Sequence, residues 1–134
     1  MPNCLFCKIA TGQIPCTRVY EDAKTLAFLD ISPVHAGHTL VMSKTHATTF
    51  DALSALDRDA LIVTLQKVAK AVGSLGDGYN IMQNNGKAAG QLVMHVHFHV
   101  IPRFTDDGLH FDWPQHPYKV GEAQKVAARL QKLL

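Results

Sequence analysis

The stretch His95-Val96-His97-Phe98-His99-Val100-Ile101 decides the fold. In an extended chain successive side chains point to opposite faces. His95, His97 and His99 then share one face, and Met94, Val96, Phe98 and Val100 share the other. The apolar set can be buried, which leaves three imidazoles in a row at intervals of roughly 6.5–7 Å. Val, Phe and Ile are strong strand formers, so a strand is predicted over residues 92–101, stopped by Pro102. Imidazole is the side chain whose ordinary pKa lies nearest neutrality. Three of them on one face either hold a metal ion, or include one nucleophile positioned by the others.

Outward from this strand, Asn84-Asn85-Gly86-Lys87-Ala88-Ala89-Gly90 is a turn-rich loop. Its glycines permit close backbone approach, and successive N–H groups can cradle an anion. Tyr79 to Gln83 reads as a strand before it. Ser54 begins a helix, with Asp57 at the reciprocal position of a capping box. Leu61, Leu65, Val68 and Val72 recur at helical spacing, and Gly73 and Gly76 end the run. Arg18 to Glu21 and Thr25 to Leu29 form a predicted hairpin around Asp22-Ala23-Lys24. His38 to Met42 is a further strand. Residues 105–117 are irregular and hold the only tryptophan, Trp113. Glu122 to Leu134 reads as an amphipathic helix. The pattern is α+β, with an antiparallel sheet of about five strands, one long helix and a C-terminal helix.

The chain has 134 residues and a formal net charge of +2. That length suits one domain with a sizeable core. The scattered basic residues give no nucleic-acid stripe and no polybasic membrane anchor. No apolar run would span a bilayer, and residues 1–7 lack the pattern of a signal peptide. A cytoplasmic protein with no nucleic-acid or membrane partner is expected. The three cysteines are Cys4, Cys7 and Cys16. An odd count with a Cys-x-x-Cys pair is a poor disulfide framework, so Cys4 and Cys7 are read as half a metal site or as a redox pair.

Taken together, the ordered blocks resemble the histidine triad (HIT) hydrolases. His95 to Ile101 matches that family's His-φ-His-φ-His-φ-φ signature, with φ apolar. Cys4-Leu5-Phe6-Cys7-Lys8-Ile9, Ala27 to Pro33, Gly37 to Val41, and Asn84-Asn85-Gly86 with Ala89-Gly90-Gln91 are similar to blocks of bacterial members, in the same order. The resemblance covers roughly residues 4–103, within one HIT-like domain at 1–134 that carries a C-terminal extension at 104–134.

The resemblance implies a nucleotide hydrolase or transferase acting at the α-phosphate of nucleoside phosphoramidates or dinucleoside polyphosphates. His97 would be the nucleophile and form a covalent nucleotidyl-histidine. His99 and His38 would assist at the phosphate, and Asp30 would accept from the ribose hydroxyls. Phe6, Ile9, Phe28, Leu29 and Ile31 would shape the slot for a purine base. Asn84, Gly90 and Gln91 would lie near the phosphate. It also implies a structural zinc ion on Cys4, Cys7, His46 and His95, no organic cofactor, and a homodimer. One departure stands out: many members carry Ser or Thr directly after the Gln, and this chain has Leu92. The residues themselves leave two other classes open: a metal-dependent hydrolase with His95, His97 and His99 as ligands, and a nucleotide-binding module with weak turnover.

Overall fold

The computed structural model describes residues 3–134. A short helix, α1 (Leu5–Ala10), precedes a hairpin of β1 (Arg18–Glu21) and β2 (Thr25–Leu29). Then come β3 (Thr39–Ser43), the long helix α2 (Ala55–Gly73), β4 (Gly78–Gln83), β5 (His97–Arg103) and α3 (Glu122–Leu133). The five strands form one antiparallel sheet in the order β1-β2-β3-β5-β4.

Local chemistry sets these boundaries. The Asp22 carboxylate accepts from the backbone N–H groups of Lys24 and Thr25, at 2.9 and 2.8 Å, and so ties the hairpin turn. Ser54 caps α2 by accepting from the Asp57 N–H at 3.1 Å. Its hydroxyl in turn donates to Asp57 Oδ2 at 2.9 Å, and Lys24 reaches the same carboxylate at 3.2 Å.

One sheet face is packed by α2. Leu61, Leu65, Val68 and Val72 meet Ala27, Val41, Val96, Phe98 and Val100 in the main core. The other face meets α1, where Phe6 and Ile9 pack with Leu26, Phe28, Leu40 and Met42. The polar histidine row therefore lies on the α1 side, and the long helix takes the apolar alternates. None of α3's residues is buried.

The histidine strand differs from its expected span. Residues 92–96 are not strand, because their neighbours run out: β3 pairs only as far as Met42↔His97, and β4 as far as Gln83↔Phe98. Without a ladder the chain turns away, and His95 goes with it. Nor does Pro102 stop the strand. It pairs with Tyr79 beyond the end of β3 at Thr39↔Val100. There β5 has only one strand beside it, and a missing N–H is tolerated.

Candidate active site

Register builds the floor of a cavity. Residues directly opposite one another in an antiparallel sheet share a face. Phe28↔Leu40, Leu40↔His99 and Met82↔His99 therefore form a row across β2, β3, β5 and β4. Leu26↔Met42 and Met42↔His97 form the next row. Over them lies a cavity of about 500 Å³, walled by α1 and by the loop before β5. Among the expected residues, Phe6, Ile9, Phe28, Asp30, Ile31, Asn84, Gly90, His97 and His99 line it. The sequence reading missed Leu5, Leu40, Met82 and Val93. Leu40 and Met82 enter through cross-strand register with His99, which no local pattern reveals.

Three expected residues stand back from the cavity. Leu29 and His38 are not among its lining residues. Gln91 is buried, and both ends of its amide are spent on backbone groups of its own loop and of the segment after β3. Its Oε1 accepts from the Gly86 N–H at 2.7 Å, and its Nε2 donates to the Thr48 and Val93 carbonyls at 2.7 and 3.1 Å. The same bracing changes the expected anion cradle. The N–H groups of Ala89, Gly90 and Gln91 are bonded inside the loop, so they do not form a free ring of donors. The loop instead presents Asn84 and Gly90 to the cavity, with Gly86 and Gly90 both at positive φ. Trp113 is exposed and packs edge-on against Phe111, away from the cavity.

The hydrogen bonds assign a tautomer to each histidine. A backbone carbonyl can only accept, so His97 Nδ1 carries the proton donated to the His95 carbonyl at 2.7 Å. The neutral ring then has a lone pair on Nε2. Burial, opposed by that same carbonyl, holds His97 below its ordinary pKa and so keeps the lone pair free. A backbone N–H can only donate, so His38 Nδ1 must accept from Val34 at 3.1 Å. The proton of His38 is therefore on Nε2. It lies 2.9 Å from His99 Nδ1 and 3.6 Å from Asp30 Oδ2, and the shorter contact takes it. His99, accepting at Nδ1, carries its own proton on Nε2. A chain of donors thus runs Val34 to His38 to His99.

Charge follows from the same geometry. A protonated His38 would set Nδ1–H against the Val34 N–H, and burial also lowers its pKa despite the Asp30 carboxylate. His99 is pushed down to about 4, first by burial and then by His97 and His38, against the pull of Asp30. Both rings are neutral donors at pH 7. Because both folded pKa values lie below the unfolded value of about 6.5, the unfolded chain binds more protons between about 4 and 6.5. The stability these histidines contribute is thus complete above about pH 6.5 and is lost as pH falls toward 4. His99 alone accounts for up to about 3 kcal/mol of this slope. The urea midpoint should fall between pH 7 and pH 4.5 by more in the native chain than in His99→Gln. Equal falls in the two proteins would contradict the assignment.

His95 faces the other way. Its Nε2–H donates to the Ser43 carbonyl at 2.7 Å, which leaves Nδ1 with a lone pair. That atom lies 3.5 Å from Cys4 Sγ and 3.6 Å from Cys7 Sγ, and His46 Nδ1 lies 3.4 Å from Cys7 Sγ. The four ligand atoms of Cys4, Cys7, His46 and His95 all fall within 4.8 Å of one another. A tetrahedral zinc ion with Zn–S of about 2.3 Å and Zn–N of about 2.0–2.1 Å needs S···N edges of about 3.5 Å. The donor set and its spacing fit that ion. Burial and the adjacent Cys4 sulfur raise the Cys7 thiol, so a cation is what would favour thiolates here. His95 groups with Cys4, Cys7 and His46, and His99 with Asp30 and His38, so among the described residues the three triad imidazoles form no shared ligand set.

Comparison with known proteins gives a consistent picture. A HIT domain family model matches residues 11–106. The chain is 42% identical over 129 residues to an adenosine 5'-monophosphoramidase of Schizosaccharomyces pombe, covering 96% of each protein. It is 41% identical to the protein hit of Bacillus subtilis, covering 98% of this chain and 94% of that one. A crystal structure of a HIT family member from Bacillus subtilis superimposes with a TM-score of 0.91 at 41% identity, covering 98% and 97% of the two chains.

Proposed function

This chain belongs to the HIT domain family, and we propose that it is a nucleotide hydrolase that transfers a nucleotidyl group from a nucleoside phosphoramidate to His97 and then to water. The observation that carries this is the Nδ1–H bond from His97 to the His95 carbonyl, which leaves an Nε2 lone pair at the cavity floor. The phosphoramidase relative supports the substrate class.

The steps follow from the assigned tautomers. His97 Nε2 attacks the α-phosphorus and forms a P–N bond, while the bond to the leaving nitrogen breaks and its electron pair departs with that nitrogen. His99 Nε2–H donates to a phosphoryl oxygen, where charge develops. His38 and His99 are each neutral with a single committed proton, so the leaving nitrogen takes its proton from water at the open mouth. Water then attacks the phosphorus, and the P–Nε2 electron pair returns to His97. The water's protons pass to the product phosphate and solvent.

Asp30 is placed for the ribose. Its Oδ1 accepts from the Ser32 N–H at 2.8 Å, which fixes the carboxylate beside the cavity. Paired vicinal hydroxyls suit the remaining lone pairs. With the 5'-phosphoramidate of adenosine, Asp30→Asn should raise KM by about tenfold and shrink the preference for the ribose over the 2'-deoxyribose substrate. An unchanged preference would exclude Asp30 from ribose contact. In the same panel the native chain should cleave the phosphoramidate faster than a dinucleoside polyphosphate; the reverse order would reassign the substrate class.

We propose zinc at Cys4, Cys7, His46 and His95. Its place in the chemistry is positional, because the His95 that would ligate it also supplies the carbonyl that orients His97. We propose further that two copies pair through the groove between α2 and the edge strand β4, where Ile62, Tyr79 and Ile81 stand exposed. An uncapped apolar edge of this kind calls for a partner. Light scattering should give twice the chain mass of 14.7 kDa, and a monomer mass would refute the pairing.

A further inference from the structure

The geometry points to a leaving-group subsite for an apolar amine at the mouth of the cavity, with Leu92 as its specificity-determining residue. This rests on the reading of His97 as the group that attacks phosphorus. His97 sits at the buried floor. A displacement at phosphorus runs in line, with attacking and leaving atoms roughly opposite, so a leaving group expelled by His97 must exit toward the mouth.

What waits there is aliphatic. Leu92 is 93% exposed, a large apolar side chain that contributes almost nothing to the core. Beside it a second recess of about 600 Å³ opens, walled by the apolar Leu5, Leu92, Val93 and Met94 together with Asn3, Thr48 and two members of the cysteine–histidine cluster, Cys4 and His46. Leu5, Leu92 and Val93 line both this recess and the nucleotide cavity, so the two adjoin along these three side chains. Leu92 thus stands where the cavity that would hold the α-phosphate adjoins a recess whose apolar lining is Leu5, Val93 and Met94. Leucine offers no hydroxyl to the departing nitrogen, so an unsubstituted amine would gain nothing from this wall. An alkyl chain on that nitrogen would remove Leu92, Val93 and Leu5 from water as it binds, which is the usual source of apolar affinity.

The test uses adenosine 5'-phosphoramidates carrying either n-hexylamine or a methoxyethoxyethylamine of similar chain length. Affinity is measured calorimetrically on full-length His97→Asn, which keeps the substrates intact, and kcat/KM on the native chain. The hexyl amide should bind about tenfold more tightly than the ether amide. Leu92→Ser, introduced into His97→Asn, should cut that ratio to about twofold. Equal affinities would overturn the subsite. A ratio that survives Leu92→Ser would overturn it as well. An intact ratio with no turnover of either amide by the native chain would uphold the subsite and refute nucleotidyl transfer alone.

Discussion

Replacing His97 by alanine should lower kcat/KM for an adenosine phosphoramidate by about 10⁴-fold or more, because removal of a nucleophile also removes its covalent route. The affinity for AMP should change little by comparison. Asp30 is held by the Ser32 N–H, and Phe6, which packs edge-on against the imidazole at 4.9 Å, keeps its second aromatic neighbour Phe28 at 5.5 Å. A general acid or a metal ligand at this position would give a different result. Its loss would be partly rescued by changing pH or adding metal, and the expected deficit responds to neither. Near-native turnover in His97→Ala would show that the chemistry lies elsewhere.

Loss of the proposed zinc site should be almost as damaging, through stability as well as rate. Cys4 caps α1 and faces His95, and Cys7 faces both His46 and His95. A zinc ion there would tie α1 to the segment after β3 and the approach to β5, two parts that the Val96 N–H to Ala47 carbonyl and Gln91 to Thr48 carbonyl bonds already join. Purified protein should carry about one zinc per chain, as expected for a four-ligand structural site. Cys4→Ala should lose the metal and lower the thermal midpoint by about 10 °C. It should also reduce turnover more than AMP affinity, because the His95 carbonyl that fixes the His97 tautomer would no longer be anchored from the metal side. Unchanged metal content and midpoint in Cys4→Ala would refute the assignment.

Much of this molecule was legible in its residues because its local signals agree. The turn at Asp22 lies between two strand-forming runs, and the hairpin spans match. Ser54 and the Leu61-Leu65-Val68-Val72 stripe give the long helix to within a residue of its start. The misreadings share one physical origin. Residues 92–96 are apolar enough to continue the strand, but a strand also needs a neighbour, and no periodicity reveals that β3 and β4 end opposite His97 and Phe98. The same departure from the ladder separates His95 from His97 and His99, so of three residues equivalent in sequence one joins the Cys4, Cys7 and His46 cluster and two line the cavity. Gln91 was read as a ligand contact, and its polarity is real, but the structure uses both ends of the amide to brace a loop. Leu40 and Met82 enter the cavity through register with His99, which is long-range information.

The central claim is a covalent bond between His97 Nε2 and the α-phosphorus. The most direct measurement mixes native chain with adenosine phosphoramidate, quenches within one turnover in alkaline denaturant, where phosphohistidine survives, and maps the peptides by mass. A single nucleotidyl adduct on the peptide containing His97, absent from His97→Ala, is the predicted result. Rapid product formation with no adduct on that peptide at any time within the turnover would contradict the account.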